Sequence, residues 1–298
     1  MRRWLLLAAL LVAWVLPAAA EAPRVVVSIK PLHSLAAALL EGISQPVLLL
    51  DGAASPHAHA MRPSERRALQ QADVVVWVGP ELEAFLEKPL SVLPDQVRVV
   101  GLLRDVPDLH RLRLAEHGHE GHGHARAGEE LDPHIWLSPG NARLIARHLT
   151  EIFATFGETE RLAANAAALD QRLVVLQADM AERLAPMQAR PFVVFHPAYN
   201  YLVEAFGLRQ AGTLALSPDH SASARHVADL RQEITRSGAV CAFAEPQFAD
   251  RSLAGLARGT GLRVAVLDPL GVDVPAGPGA YVGTLRQLAD ALATCLAG

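Results

Sequence analysis

Residues 158–186 read ETERLAANAAALDQRLVVLQADMAERLAP, and this stretch decides the fold. Its apolar side chains recur every three or four positions, which predicts one helix with a single buried stripe. The stripe consists of Leu162, Ala166, Leu169, Leu173, Leu176, Met180 and Leu184. Pro186 ends the helix. At about 1.5 Å per residue the helix is about 40 Å long, which is enough to link two lobes.

Short apolar runs alternate with helical patterns on both sides of this helix; one of these patterns predicts a helix over about Glu81–Glu87. Before the 158–186 helix the runs cover 24–29, 46–50, 73–79 and 97–101, and after it they cover 192–196, 210–216, 240–245 and 263–268. Such alternation is typical of βαβ units and parallel sheets. We therefore predict an α/β fold, in which two (β/α) lobes are joined by one long rigid helix.

The predicted organisation of the chain has four parts. They are a signal peptide (1–20), an N-terminal α/β lobe with a His-rich loop at 110–130 (21–157), a linking helix (158–186) and a C-terminal α/β lobe (187–298). The signal peptide is indicated by Arg2 and Arg3, an apolar run and small residues up to Ala20. We expect cleavage near Ala20, export to an oxidising compartment and no membrane anchor afterwards.

The composition excludes several functional classes. The chain has 298 residues, 51% of them hydrophobic, and a net charge of −4, which argues against a general nucleic-acid binder. Its two lysines, Lys30 and Lys88, are each followed by proline, so no P-loop ending in Lys-Ser or Lys-Thr exists. The motifs HExxH, GxSxG and GxGxxG are absent as well.

Four residues that can bind a metal ion lie at the predicted carboxyl ends of strands or in the loops that follow. They are His57 in SPHAH, His134 in DPHIWLSP, His196 in FVVFH and Asp268 in RVAVLD. Ligands of open α/β sheets bind at this edge, and three imidazoles with one carboxylate are a donor set typical of Zn²⁺. Taken singly, each residue also fits a structural role, such as a loop or core histidine or a helix N-cap.

Three further features leave alternatives open. Glu245 in FAEPQF is the best candidate for a general base if the chain were a zinc hydrolase, and it also fits a hydrogen-bonding residue behind a ligand. The loop histidines either capture metal weakly or are simply solvated; they are His117, His119, His122 and His124. Cys241 and Cys295 can form a disulfide in an oxidising compartment, or remain buried thiols.

These segments together resemble a known family, the metal-binding receptors of bacterial ABC importers, and within it the periplasmic zinc receptors. The matching pieces are PHAHAMRPSE (56–65), ADVVVWVGPELEAFLEKPL (72–90), the His-rich loop, HIWLSP (134–139), VVFHPAYNYL (193–202), CAFAEPQF (241–248) and VLDPLG (266–271). They occur in the order of the family and span nearly the whole chain after the signal peptide.

The resemblance implies a metal site and a disulfide. The metal ligands of the family fall on His57, His134, His196 and Asp268, with His59 as a competitor for His57 and water as a competitor for Asp268. A histidine at the third position distinguishes the zinc members from the manganese members. The resemblance also implies a disulfide between Cys241 and Cys295.

The function implied is a zinc-binding receptor of the periplasm, a monomer without catalytic residues, that delivers Zn²⁺ to the membrane permease of an ABC importer. A manganese or broad divalent-metal receptor is the first alternative. A zinc-dependent hydrolase and an adhesin-like surface protein are the others.

Overall fold

Two four-stranded parallel sheets form the framework of the computed structural model, which describes residues 22–50, 54–114, 130–215, 222–248 and 252–298. The predicted signal peptide, residues 1–20, lies outside the described residues. So do the four histidines of the His-rich loop, which are His117, His119, His122 and His124.

The first lobe is built on runs of valine. Its elements are β1 (Val25–Val27), α1 (Lys30–Leu39), β2 (Val47–Leu48), α2 (Pro63–Gln70), β3 (Val74–Trp77), α3 (Ala84–Leu90), β4 (Arg98–Gly101), α4 (Leu102–Asp105), a 3-10 turn (Ile135–Leu137) and α5 (Pro139–Ala154). The strands are parallel in the order β2-β1-β3-β4. All residues of β1 and β3 are buried, as expected for central strands of a parallel sheet that is covered on both faces.

The linking helix α6 (Thr159–Leu184) confirms the prediction from the apolar stripe. Six of its seven predicted stripe residues are buried, and they are Leu162, Leu169, Leu173, Leu176, Met180 and Leu184. Near its start, Asn165 donates hydrogen bonds of 2.9 Å to the carbonyl oxygens of Leu39 and Glu41 in the first lobe. Within the described part of the chain, no helix combines the length and the apolar character needed to cross a membrane.

The second lobe repeats the strand order of the first. After a 3-10 turn (Ala185–Met187) come β5 (Phe192–Val194), α7 (Asn200–Phe206), β6 (Gln210–Thr213), α8 (Ala224–Ser237), β7 (Cys241–Ala244), α9 (Ser252–Thr260), β8 (Arg263–Val266) and α10 (Ala280–Ala297). The order β6-β5-β7-β8 matches β2-β1-β3-β4 strand for strand, and all pairs are parallel. The two halves share topology although the sequence shows no repeat.

Several contacts tie the lobes into one framework. One apolar core runs without a break from the first sheet through α6 into the second lobe. Helix α10 packs against both α1 and α6, so the last helix of the second lobe rests on the first. Cys241 and Cys295 form the expected disulfide, with a Cα–Cα distance of 6.2 Å, which fastens α10 to β7.

One helix is displaced from its predicted position. The sequence pattern placed it at Glu81–Glu87, whereas α3 covers Ala84–Leu90. The reason is Glu83, a buried carboxylate that accepts hydrogen bonds from the backbone N–H groups of Val78 and Gly79 at 2.9 and 3.1 Å. These bonds hold residues 79–83 in a turn and delay the start of the helix.

Candidate metal centre

Three histidines from the two lobes meet in the cleft between them. His57 lies in the loop between β2 and α2, His134 directly before the turn Ile135–Leu137, and His196 two residues after β5. One ring nitrogen from each lies within 4.8 Å of the other two. Two of the imidazoles come from the first lobe and one from the second, so the cluster bridges the lobes.

The topology of the second sheet explains the position of His196. Strands β5 and β7 are neighbours in the sheet. The chain runs from β5 to β6 on one side of this pair and from β7 to β8 on the other side. Such a switch point opens a crevice at the carboxyl ends of the strands. His196 follows β5 and Glu245 directly follows β7, so both side chains enter this crevice.

Two of the three imidazoles are oriented by buried carboxylates. His134 Nδ1 lies 2.8 Å from an oxygen of Asp132, and His196 Nδ1 lies 2.6 Å from an oxygen of Glu245. Asp132 also accepts the backbone N–H of His134 at 3.0 Å and the side-chain amide of Asn200 at 2.9 Å. Carboxylates in this position fix the ring and its tautomer and raise its basicity toward a metal.

Glu245 was predicted as a candidate residue that forms a hydrogen bond behind a ligand, whereas Asp132 was not predicted. The missed signal is the short spacing Asp132-Pro133-His134, in which the carboxylate lies two residues before the histidine. This spacing lets one aspartate accept hydrogen bonds from both the backbone N–H and the ring Nδ1 of the same histidine.

The tautomers place two lone pairs opposite each other. A neutral imidazole has one N–H, and the carboxylates, which can only accept, take the Nδ1–H of His134 and of His196. When both rings are neutral, each Nε2 atom therefore presents a lone pair, and the two Nε2 atoms lie 3.3 Å apart. Two ligands of a tetrahedral zinc ion, with Zn–N distances of about 2.0 Å, also lie about 3.3 Å apart. The spacing suits a shared cation.

His57 is the third donor and differs from the other two. Its Nε2 atom is buried and has no hydrogen-bond partner in the described part of the chain. Burial, and then the proximity of His134 and His196, lowers the pKa of the His57 imidazole from 6.5 to about 2. The ring is therefore neutral, and its lone pair is available to a metal.

Asp268 does not belong to the three-histidine cluster. One of its oxygens accepts hydrogen bonds from Gln247 Nε2 at 2.8 Å and from the backbone N–H groups of Leu270 and Gly271, both at 3.0 Å. The other accepts the N–H of Val272. Four donors thus hold the carboxylate over its own turn.

His59 is also separate from the cluster. Its Nε2 lies 2.8 Å from a carboxylate oxygen of Glu65, and its ring packs edge-on against Phe85 with centroids 4.9 Å apart. These contacts fasten the loop after His57 to the first lobe. Of the two histidines in SPHAH, the structure brings His57 to the other imidazoles.

The cavity at the cluster is very small. Its volume is about 10 Å³, close to that of one water molecule by the same measure. Besides the three histidines, its walls are Ser55, Pro56, Trp136, Glu245, Gln247, Phe248, Pro269 and Leu270. Such walls leave little free space around an ion held by the three histidines.

Comparison with known proteins agrees with this architecture. A crystal structure of ZnuA superimposes with a TM-score of 0.79 at 24% identity, covering 93% of this chain and 100% of that one. The high-affinity zinc uptake system protein ZnuA of Brucella abortus (strain 2308) is 35% identical over 314 residues, or 93% of each chain. The protein of the same name from Paracoccus denitrificans (strain Pd 1222) is 36% identical over 318 residues, covering 98% of this chain and 97% of that one.

Two α/β lobes with parallel sheets, joined by a long helix, are the fold of the two-lobed metal-binding proteins of this kind. The model of one family, described as zinc-uptake complex component A periplasmic (ZnuA), matches residues 25–295. The chain belongs to this family, and the resemblance inferred from the sequence motifs is confirmed.

Proposed function

We propose that this chain is a periplasmic zinc receptor, which captures one Zn²⁺ ion between its lobes and delivers it to the permease of an ABC importer. The observation that carries the proposal is the 3.3 Å separation of His134 Nε2 and His196 Nε2, on rings whose Nδ1 atoms lie against buried carboxylates. Two lone pairs at this distance repel unless a proton or a metal ion lies between them, and the spacing matches that of two ligands on one tetrahedral zinc ion. The ion is cargo rather than a resident cofactor.

The proposed ligands are His57, His134 and His196, with water in the fourth position. Asp268 is the other candidate for that position, but it would have to give up hydrogen bonds to reach the ion, because four donors already hold it. Three imidazoles favour zinc over manganese, which prefers carboxylate and water oxygens. The donor set thus supports zinc as the cargo.

The small cavity supports a receptor rather than a hydrolase. A catalytic zinc needs an open position for substrate and a general base beside it. Three imidazoles and a water are also the ligands of some catalytic zinc ions, but the cavity of about 10 Å³ leaves no room for a substrate beside the ion. One oxygen of Glu245, the candidate base, is hydrogen-bonded to His196 Nδ1. We propose that the chain has no catalytic residues.

The remaining parts of the proposal concern export, location, oligomeric state and the His-rich loop. The chain is exported by the signal peptide at 1–20, is cleaved near Ala20, acts as a monomer in the periplasm and binds no nucleic acid. The His-rich loop adds weak, auxiliary metal affinity. The periplasmic location is supported by the family model over residues 25–295, and the zinc cargo by curated relatives named as zinc uptake proteins.

Native mass spectrometry of the processed chain tests the proposal, followed by competitive titration of Zn²⁺ against Mn²⁺. We expect one tightly held zinc per chain and a strong preference for zinc. His196→Ala should weaken binding at least about tenfold, since even the loss of an outer-shell partner costs that much. The matched control is His226→Gln, because His226 bonds the carbonyl oxygen of Thr213 and lies outside the cluster. A preference for manganese, or hydrolysis of simple esters or phosphates, would overturn the proposal.

A further inference from the structure

A buried lysine of the first lobe reaches into the second. Lys30 is the first residue of α1 and is only 6% exposed. Its ammonium group donates to the carbonyl oxygens of Gly271 and Val272 at 2.9 Å, and of Val274 at 3.1 Å. An ammonium group has three N–H donors, so all of them are used. No carboxylate of the described residues forms an ion pair with it within 4.0 Å.

Asp268 holds the same segment from the opposite direction. We call residues 268–274 the wall loop. Its carbonyl oxygens accept from Lys30, while its backbone N–H groups at Leu270, Gly271 and Val272 donate to Asp268. The peptide group between Gly271 and Val272 therefore lies between a cation and an anion, because its C=O accepts from Lys30 and its N–H donates to Asp268.

The path of the wall loop is restricted at one glycine. Gly271 has φ +65°, and a Cβ atom added there would lie 2.0 Å from Thr284 Oγ1 on α10. The loop is thus pressed against α10 at the position where Lys30 binds it. At Gly271 the loop therefore contacts Lys30 through its carbonyl oxygen and lies close to Thr284 of α10.

The wall loop forms one side of the metal cavity. Pro269 and Leu270 line it together with the three histidines. The indole N–H of Trp136, two residues after His134, donates to the carbonyl oxygen of Pro269 at 2.8 Å. The position of the wall loop therefore affects how tightly the cavity surrounds an ion.

We propose that Lys30 is a positioning residue for metal retention, which clasps the wall loop of the second lobe to the first and so slows the escape of the ion. The inference rests on the proposed function. Opening the wall loop requires a desolvated ammonium group to release three oxygen partners together, and burial without partners is costly for a charge. The clasp acts through the loop and touches no metal ligand.

The test compares Lys30→Met with Lys88→Met. Methionine keeps much of the length of the lysine and removes the charge and donors, and Lys88 is the other lysine of the chain, exposed on α3. Zinc loss into excess chelator is followed by stopped flow. We expect loss from Lys30→Met to be at least about tenfold faster, in the range of outer-shell substitutions at metal sites, and loss from Lys88→Met to match the parent. If the role of Lys30 were purely structural, Lys30→Met would lower the unfolding temperature of the metal-free protein but would not change the rate of zinc loss.

Hydrogen exchange supplies a readout that needs no metal. In the unsubstituted metal-free protein, the amides of residues 270–272 should be protected, and Lys30→Met should expose them. Parental zinc loss in Lys30→Met, or unprotected amides in the parent, would overturn the clasp. Unprotected amides in the parent would overturn the clasp even if Lys30→Met fails to fold. A parent that takes up no zinc would instead overturn the proposed function, while the exchange data would still test the clasp.

Discussion

Replacing Glu245 with glutamine tests how the second lobe prepares its imidazole for zinc. Glu245 is 3% exposed, and its oxygen lies 2.6 Å from His196 Nδ1. Glutamine keeps the shape and one carbonyl acceptor but removes the negative charge. It can also rotate and donate its N–H₂ to Nδ1, which would move the ring proton to Nε2 and block the metal-binding lone pair.

The size of the effect follows from this geometry. A charge-assisted hydrogen bond becomes a neutral one, and a tautomer that was fixed becomes adjustable. Loss of such an outer-shell carboxylate typically weakens metal affinity 10–100-fold, which corresponds to about 1.4–2.7 kcal/mol. We expect Glu245→Gln to weaken zinc binding within this range, and we expect the fold to be retained.

A chelator competition titration measures the affinity in four proteins: the parent, Glu245→Gln, His196→Ala and the double variant. If Glu245 acts through His196, its substitution should matter little once His196 is absent, so the two effects should not add. Glu233→Gln is the control, because it removes one acidic charge from α8 where Glu233 pairs with Arg236. An equal loss of affinity from Glu245→Gln with and without His196 would refute the reasoning.

Three further predictions concern stability, the His-rich loop and motion. Burial raises the pKa of Glu83 from 4.5 to about 7, so the folded state keeps a proton that the unfolded chain releases, and the free energy of unfolding should fall as pH rises through this window. Glu83→Gln should remove this dependence, about 3 kcal/mol between pH 5 and pH 8 by urea unfolding; an unchanged pH profile would contradict the assignment. Deleting residues 116–126 should remove weak zinc equivalents and leave the tight one in a titration, whereas loss of the tight one would place the primary site in the loop. Solution scattering should give nearly equal radii of gyration with and without zinc, because one core runs through both lobes; a large compaction would show that α6 is a hinge.

The sequence was most informative where one local pattern decides the structure. The spacing of leucines from Leu162 to Leu184 predicted α6, because a buried helical face demands apolar residues every three or four positions. The valine runs predicted the parallel strands, because a strand that is buried on both faces requires a continuous run of apolar residues. The rule that ligands gather at the carboxyl ends of strands selected His57, His134 and His196, and the structure brings these three together, although His134 precedes the turn Ile135–Leu137 instead of following a strand.

Side-chain direction and contacts between distant segments could not be predicted in this way. Asp268 also lies at a strand end, but its carboxylate bonds the backbone of its own turn, and the position of the residue does not reveal that choice. Lys30 meets its partners about 240 residues further along the chain, and only the packing of α10 on α1 brings them together. The displacement of α3 depends likewise on the buried bonds of Glu83.

X-ray absorption at the zinc edge tests the central claim most directly, because it counts the imidazoles on the ion. The sample is the zinc-loaded protein from which residues 116–126 have been deleted, so that the loop histidines cannot contribute. We predict three imidazole nitrogens and one oxygen at about 2.0 Å, and two imidazoles when His196 is replaced by alanine. A shell dominated by oxygen, or one unchanged by His196→Ala, would contradict the assignment of the cleft as the zinc site.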